Sequence, residues 1–520
     1  MIIGTRVIFV ALPTALLPIT ASAATIGKGK TVPAAHHARA TGNATAAGKA
    51  PGPTRGLAGA GPGAASRDEA NLIPAVGLSV PGGAIPEASG PEAPVHHVVA
   101  HRYARPEDRW ALTEETIVNT PRGGTPVPVA RGIPWLNWVN LDIRQNVRLA
   151  KSITLHGGFG FNLFSDQAPS MTPYRDFRFD TREAYVTVGA GDHFFVDIGR
   201  FNLKAGVASG FNPTDFFRTA TVLNVDTNDV TALRERRLGT FMAHAELFTP
   251  TIDVAAAIAP RLTRSHDEHY LAVDENFDLG LERTNPDWRE ELRLTFPGVT
   301  RFAPAAYVYH DRHAVKFGAS SAVLLSSKAT GYAEWAGWNR GTIVSDALTN
   351  ALAAGLLPSF TPDPDIGGGG ERFRQQLAIG ITYALLPKVS LSLEYDYSEA
   401  GLTKGKMQLL TSAGQAGGLG AATYWVVRQY GVDQQDPLGR HTGFVRFAWS
   451  DAFVRNLSLS AIAQINLGDG SGAYQASVTY SFHGGWAVNL QGNLTAGSTR
   501  GEYGSVPQSG AVLTRIVKYF

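Results

Sequence analysis

The 520-residue sequence contains no cysteine. That absence excludes disulfides, thiol catalysis, iron–sulfur clusters and haem attached through a Cys-x-x-Cys-His motif. Charged residues are also scarce, at 17%, and a net charge of +2 makes nucleic acid an unlikely partner. No apolar run of about 20 residues follows the N-terminal segment, so the sequence offers no transmembrane helix. No internal repeat of fixed period is found, which argues against a propeller.

The residues that are abundant suit many strands. Glycine occurs 57 times, aromatic residues make up 10%, and the mean hydropathy is −0.06. This combination is typical of strands with one polar face and one apolar face. A soluble β-sandwich has a similar composition, so composition alone does not choose between the two.

The first part of the chain divides into two segments of different character. Residues 1–23 resemble a secretory signal peptide, with Arg6 in the n-region, an apolar core and an Ala-Ser-Ala cleavage site. Residues 24–110 are rich in Ala, Gly and Pro and cannot bury enough apolar surface to offset the entropy of ordering. We therefore predict a signal peptide, a disordered periplasmic leader over 24–110, and a folded region over 111–520.

From residue 135 onward the sequence has the period-two alternation of β-strands. Seventeen such runs lie between residues 138 and 520. In the run 388–398, for example, Ser and acidic residues alternate with Leu and Tyr. Run lengths near ten residues match a tilted strand that crosses a membrane, although a sheet with one face in water alternates in the same way.

The links between these runs alternate in length. Turns of a few residues, such as 190–192 and 386–387, alternate with connections that are mostly long, such as 202–237 and 399–440. Short turns at one end and long loops at the other are typical of outer-membrane barrels. The predicted fold class is therefore all-β, a transmembrane antiparallel β-barrel of the bacterial outer membrane.

The alternation of turns also predicts the number of strands. Both ends of the barrel should lie on the periplasmic side, so one more ascending strand is needed within 110–133, which gives 18 strands. The alternative is 16 strands, if 303–324 is one irregular pair. Residues 345–357 have an amphipathic pattern that predicts a short helix in an external loop.

The chain ends in an alternating run, 512–520, with a terminal Phe520. Here it resembles the outer-membrane β-barrel superfamily, in which a terminal Phe is recognised by the barrel-assembly machinery. The resemblance implies outer-membrane lipid and that machinery as partners. Thr514 and Lys518 share the parity of Phe520, so the lipid-facing side of this strand is not uniformly apolar.

A second resemblance rests on residues 182–218, which contain Arg-Glu-Ala-Tyr-Val from Arg182, Gly-Arg-Phe-Asn around Arg200, and Asn-Pro-Thr-Asp ending at Asp215. These segments resemble the hairpin-and-loop motifs of alginate-export-type barrels, with Phe201 in place of the Gln that follows Gly-Arg in that family. The resemblance implies 18 strands and passage of a solute, such as an anionic polysaccharide, through a polar lumen.

The connection 202–237 is the third external loop by this count, and it carries both signs of charge. We predict that it narrows the lumen and that its arginines attract anions. A loop over the rim, held by Arg–Asp pairs, is the alternative, and charged strand residues could equally form paired ladders along the wall. The predicted constriction and lumen residues are Arg144, Arg148, Arg182, Glu183, Arg200, Asp215, Arg218, Arg234, Arg236 and Arg237.

The sequence predicts no catalytic, metal or cofactor site. The histidines are scattered without a nucleophile–base pattern, and a flexible loop is favoured over calcium at Asp363, Asp365 and Glu371. The predicted function is a porin-like channel, not an enzyme, for passive passage of small or polymeric polar solutes, including anions and polysaccharide. The alternative is a structural barrel that sheathes or docks a partner in an envelope complex. Whether the protein forms a homo-oligomer stays open.

Overall fold

The computed structural model describes residues 108–122, 135–166, 177–221, 229–235, 237–263, 279–297, 299, 302–358, 366 and 369–520. The predicted signal peptide and residues 24–107 of the predicted leader lie outside the described residues. So do Arg236, Asp363 and Asp365.

Eighteen antiparallel strands form a single closed sheet. The strands are β1 (Arg109–Pro121), β2 (Trp135–Ala150), β3 (Ile153–Asp166), β4 (Phe177–Ala190), β5 (Phe194–Phe201), β6 (Thr240–Leu247), β7 (Asp253–Ala259), β8 (Arg289–Thr295), β9 (Ala305–His310), β10 (Val315–Ser326), β11 (Ala329–Arg340), β12 (Arg372–Leu386), β13 (Val389–Ser398), β14 (His441–Trp449), β15 (Leu457–Asn466), β16 (Gly472–Phe482), β17 (Trp486–Ala496) and β18 (Gln508–Tyr519). Each strand pairs with the next in sequence, and β1 pairs with β18, which closes the barrel. The predicted count of 18 is confirmed and the alternative of 16 is wrong, because 303–324 contains two separate strands.

The first strand, β1, lies where the count of turns required a strand, between β18 and β2. Pro121 is its last residue, at a point where the register with β18 shifts. A proline cannot donate to the ladder, so it is tolerated there. Within the strand, Glu115 accepts a hydrogen bond from Arg515 of β18 at 2.5 Å, which ties the first strand to the last.

The barrel wall is apolar outside and polar inside. Large apolar side chains such as Leu149, Ile379 and Leu393 are 63%, 50% and 45% exposed. Polar residues of the opposite parity, such as Asp142 and Glu394, are buried within the barrel. An apolar outer surface around a polar interior is the pattern of a transmembrane β-barrel, as the alternation predicted.

The described parts of the connections contain the helices α1 (Val230–Glu235), α2 (Leu281–Thr284), α3 (Ile343–Ala353), α4 (Lys404–Gln415) and α5 (Gly418–Gln434). The predicted helix over 345–357 is confirmed as α3, whose N-terminus is capped by the Thr342 side chain. Helices α4 and α5 were not predicted. Helices α3, α4 and α5 pack around a shared apolar core that includes Leu348, Met407, Leu410 and Tyr424. No helix among the described residues is both long and apolar enough to cross a membrane.

Three of the long connections pack against one another at one end of the barrel. We name them loop 3 (202–239), loop 7 (399–440) and loop 9 (497–507). Loop 7 docks on loop 9, where the Tyr424 and Ser505 hydroxyls are 2.7 Å apart and Arg428 donates to the Glu502 carbonyl at 2.7 Å. In outer-membrane barrels the end with long loops faces outward, so this packing covers the external end.

Gly199 of β5 offers a test of the barrel wall. Its φ is +136°, and a Cβ there would lie 2.4 Å from the Ala184 carbonyl oxygen in β4. Because this contact is with backbone, we expect Gly199→Ala to destabilise the barrel by about 2 kcal/mol or more. The measurement is the temperature at which the heat-modifiable gel mobility converts.

The matched control for this test is Gly443→Ala in β14. A Cβ at Gly443 would meet only the Leu467 side chain, at 3.4 Å. We expect its conversion temperature to stay near that of the native protein, and equal temperatures for the two variants would contradict the wall geometry.

Candidate functional site: loop 3 and the lumen wall

Loop 3 turns into the barrel after β5. Every residue from Ala208 to Arg218 is buried, although this segment contains only one short 3-10 turn, Phe216–Arg218. A buried segment without regular structure must find partners for its backbone N–H groups elsewhere. Two carboxylates on the opposite part of the wall supply those partners.

Glu334, in the middle of β11, is the first of these anchors and is 1% exposed. Its Oε1 accepts hydrogen bonds from the amides of Val207 and Ala208, the second at 2.6 Å. Its Oε2 accepts from the Thr214 hydroxyl at 2.9 Å. A buried carboxylate is costly unless several donors replace its hydration, and loop 3 provides them.

Glu394, in the middle of β13, is the second anchor. It accepts hydrogen bonds from three successive amides, those of Ser209 at 2.7 Å, Gly210 at 2.9 Å and Phe211 at 2.8 Å. The Tyr332 hydroxyl donates to the same carboxylate at 2.8 Å. Successive N–H groups that converge on one anion form a nest. Since β13 is eight strands from β5 in a ring of 18, the loop reaches nearly to the opposite wall.

Two glycines allow the loop to approach the wall this closely. Gly206 has a φ of +88°, and a Cβ there would lie 2.5 Å from Glu334 Oε1. A Cβ at Gly210 would lie 2.4 Å from the Phe444 ring of β14. Side chains at either position would push the amides away from their carboxylates.

Apolar side chains hold the next part of loop 3 against the wall between β5 and β11. Phe216 stacks on Tyr309 of β9 with ring centroids 5.1 Å apart, and Phe217 meets the same ring edge-on at 5.5 Å. Both belong to a buried cluster that includes Met242 and Ala336. Loop 3 therefore fills this side of the lumen with close-packed apolar contacts.

Asp215 joins the two legs of loop 3. Its carboxylate is 2.7 Å from Arg237 Nη1 and 3.6 Å from Arg234 Nε, and the residue is 1% exposed. Burial by itself would raise the pKa of Asp215, but the attraction of Arg237 and Arg234 holds that pKa below its ordinary value. Three of the predicted site residues thus meet in one buried ion cluster.

The returning leg of loop 3 reaches two further parts of the wall. Asp229, just before α1, is 3.0 Å from Arg446 of β14. Glu235, at the end of α1, pairs with Lys204 and lies 3.7 Å from Arg144 of β2. Loop 3 therefore contacts the barrel wall at β2, β11, β13 and β14.

A cluster of arginines surrounds Asp142 on the lumen side of β2. The Asp142 carboxylate is 3.1 Å from Arg182, 3.3 Å from Arg109 and 3.6 Å from Arg144. The three arginine side chains are 15%, 34% and 22% exposed in that order. Gly160 leaves room for the Arg182 guanidinium, since a Cβ there would lie 3.0 Å from Nη2. Arg144 also lies 3.7 Å from Glu235, so the described ion pairs of this cluster join three partly exposed guanidinium groups to two carboxylates.

The other predicted residues lie apart from these clusters. Arg148 donates to the carbonyls of Ala150 and Lys151 at the turn between β2 and β3, at 3.2 Å and 2.8 Å. Glu183 lies beside Gly158 on β3.

Arg200 occupies a different place from the predicted one. It shares the parity of Ile198, which is 52% exposed on the outer surface, and its guanidinium donates to the Gly239 and Leu279 carbonyls at 2.8 Å and 2.5 Å. Phe520, which directly follows β18, is 74% exposed.

Asp436 of loop 7 links the external loops to loop 3. Its carboxylate is 2.6 Å from Arg218 of loop 3 and 3.0 Å from Arg340 at the end of β11. Burial would raise the pKa of Asp436, but Arg218 and Arg340 hold that pKa below its ordinary value. The predicted residue Arg218 therefore fastens loop 3 to loop 7.

Sequence reasoning missed the residues that hold loop 3. Glu394 belongs to the run 388–398, whose acidic residues were interpreted only as part of a polar strand face, and Glu334, Arg340 and Asp436 were not singled out. A signal does exist for Glu334. It is the one acidic residue in the run 328–337, where its inward-facing neighbours Tyr332 and Ala336 are apolar. An isolated acid among such residues needs a partner from outside the strand.

The closed 18-stranded wall with an inward-folded loop defines an outer-membrane, porin-like β-barrel. Neither a family model nor a curated protein matches the chain.

Solved structures with a similar architecture include OccAB1 and OccAB4 from Acinetobacter baumannii and the outer membrane protein OpdK from Pseudomonas aeruginosa. OccAB1 is 9% identical with a TM-score of 0.47, and the alignment covers 79% of this chain and 96% of that one. OccAB4 is 10% identical with a TM-score of 0.44, and the alignment covers 81% of this chain and 100% of OccAB4. OpdK is 8% identical with a TM-score of 0.44, and the alignment covers 80% of this chain and 99% of OpdK. These values are too low to carry any residue's role over to this chain. The resemblance to alginate-export-type barrels is not confirmed.

The anchors predict the effect of neutralising the carboxylates. In Glu334→Gln/Glu394→Gln each side chain would present an NH2 donor to backbone donors and lose its charge-assisted bonds, each worth about 1.5–3 kcal/mol. We expect loop 3 to detach and the single-channel conductance in planar bilayers to rise. The control is Glu290→Gln, whose side chain is 49% exposed. A conductance equal to that of the control would contradict the anchoring role.

The pKa values of Asp215 and Asp436 predict how the loop packing responds to acid. In the folded protein both pKa values lie below the ordinary Asp value of about 3.9. The two carboxylates therefore stabilise the packing fully above about pH 3.9, and this stabilisation is lost as the pH falls through their pKa values in the folded protein. We expect these two groups of ion pairs to persist from pH 7 to about pH 4 and to be lost only in stronger acid. Asp215→Asn should raise the channel current noise already at pH 7, and a native noise level in that variant would contradict this assignment.

Proposed function

We propose that this protein is a passive, porin-like channel that conducts small polar solutes across the outer membrane and favours anions. The observation that carries the proposal is the arginine cluster around Asp142 on the lumen side of β2, beside the returning leg of loop 3. In its described ion pairs three partly exposed guanidinium groups and Lys204 outnumber the carboxylates of Asp142 and Glu235. Such a cluster attracts anions, and a narrow passage in a low-dielectric wall strengthens that attraction.

The packing of loop 3 supports a passage on one side of the barrel. The apolar cluster around Phe216 and Tyr309 fills the side between β5 and β11. On the other side, the lumen positions of β15 to β17 carry partly exposed hydroxyl and amide groups, such as Ser460, Ser477 and Asn489. Such neutral hydrogen-bonding groups suit a polar solute, and they face the passage together with the arginines.

The same packing favours small solutes over a polysaccharide and over a sheath for a partner. Loop 3 is fastened to β11, β13 and β14, so the lumen holds a fixed obstruction made by the chain itself. A polymer strand or an inserted partner protein would have to displace those contacts. The exposed Phe520 stays the proposed signal for the assembly machinery.

Removing positive charge from the cluster should reduce anion preference. We expect Arg144→Gln/Arg182→Gln to lower the chloride-to-potassium permeability ratio by about threefold, because the focused field at the passage weakens. Reversal potentials in a salt gradient across a planar bilayer measure this ratio. Arg372→Gln, at a side chain 62% exposed and paired with Glu399, is the control and should leave the ratio unchanged.

Two outcomes would count against the proposal. A native protein without any conductance would exclude a channel, and a double variant with native selectivity would show that anion preference arises elsewhere.

A further inference from the structure

Asp396, near the external end of β13, carries a buried carboxylate without a hydrogen-bond donor. The residue is 1% exposed, and neither Oδ1 nor Oδ2 has a donor among the described residues. Asp396 lies two residues after Glu394 on the same face of the strand, and the two carboxyl groups are close enough to interact. Two ionised carboxylates have no hydrogen to share, so this contact is repulsive unless a positive charge lies between them.

Glu394 cannot relieve this repulsion by turning away, because its oxygens already hold loop 3. Its Oε1 accepts from two loop 3 amides, and its Oε2 accepts from a third amide and from the Tyr332 hydroxyl. A carboxylate oxygen has two lone pairs, so both oxygens of Glu394 are fully used. The charge of Asp396 therefore has to be balanced by a group other than the Glu394 side chain.

No basic side chain balances it at close range. Among the described residues, Asp396, Glu394 and Glu334 have no Arg, Lys or His nitrogen within 4.0 Å of their carboxylates. Arg234 acts on Glu334 only from a greater distance, and Glu334 adds its own negative charge to the surroundings of Asp396. Three buried carboxylates thus lie near one another with hydrogen-bond donors on two of them and no close cation.

Two neutral oxygen atoms beside Asp396 also lack partners. Thr442 of β14 is directly opposite Asp396 in the strand register, so the two side chains share the lumen face. Thr442 is 1% exposed, and its Oγ1 has no partner among the described residues. Gln376 of β12 pairs with Ser398 and is therefore diagonal to Asp396, and its buried Oε1 has no donor in the described part of the chain either. Carboxylate, hydroxyl and amide oxygens are the hard ligands that alkaline-earth cations prefer.

We propose that Asp396, Thr442 and Gln376 bind a divalent cation of the size of Ca²⁺ beside the Glu394 anchor of loop 3. The ion supplies the positive charge that the contact between Asp396 and Glu394 lacks, and it thereby stabilises the carboxylate that accepts from the loop 3 amides. A monovalent ion would balance less of the charge of three carboxylates. Mg²⁺ gives up its waters reluctantly and so fits a buried site less well than Ca²⁺ does. The site depends neither on conduction nor on anion preference.

Terbium luminescence tests the site, because Tb³⁺ replaces Ca²⁺ at oxygen ligands and its emission is sensitised by a nearby tyrosine. Tyr332, which donates to Glu394 at 2.8 Å, is such a sensitiser. The full-length protein is purified with EDTA, dialysed and titrated with Tb³⁺. We expect saturable emission that Ca²⁺ displaces at lower concentration than Mg²⁺ does. Asp396→Asn should abolish this emission, and Thr442→Val should weaken Tb³⁺ binding by about tenfold.

The matched control is Asp180→Asn in β4, which removes a buried wall carboxylate that already has Arg178 at 2.9 Å. Its Tb³⁺ affinity should equal that of the native protein. Heat-modifiable mobility verifies that each variant is folded, and Thr442→Val carries the test alone if Asp396→Asn does not fold. Ca²⁺ should also raise the temperature of mobility conversion in the native protein and leave that of Asp396→Asn unchanged. Native Tb³⁺ emission in the folded variants, or no effect of Ca²⁺ on the native protein, would mean that a proton alone neutralises Asp396 and would overturn the proposal.

Discussion

A peptide segment that enters a barrel without forming a strand or a long helix must still satisfy its backbone amides. In this protein two buried carboxylates, Glu334 and Glu394, accept from five amides between Val207 and Phe211. The dependence is mutual, since neither carboxylate would be tolerated in the wall without those donors and the loop would not stay buried without the carboxylates. Loop 3 is therefore held in a fixed position against the barrel wall.

The position of loop 3 determines the character of the rest of the interior. Its aromatic residues fill the side between β5 and β11, and the proposed passage lies along the polar wall on the other side. The arginines around Asp142 border that passage. Loop 7 is fastened to loop 3 through the ion pair between Asp436 and Arg218, so the external loops and loop 3 are held together.

The strands were predictable because their chemistry is local: alternation and turn length depend on neighbours in sequence, and even β1 could be placed by counting turns. The inward path of loop 3 was stated as a hypothesis, since the charges between Asp215 and Arg237 are visible in the sequence. Its anchors were not predictable, because Glu334 and Glu394 lie more than a hundred residues from the amides they accept from. The alternation of β5 already puts Arg200 on the side of Ile198, so its assignment to the lumen did not follow the strand pattern, and the Gly239 and Leu279 carbonyls that hold its guanidinium lie in distant loops.

Hydrogen exchange of the loop amides tests the central claim most directly. If Glu334 and Glu394 hold loop 3 inside the barrel, the amides of residues 207–211 exchange as slowly as those of the neighbouring strands β11 and β13, despite the lack of regular structure. If those amides exchange at the rate of a solvated loop while the strands stay protected, loop 3 is not fastened across the lumen and the account of the passage fails.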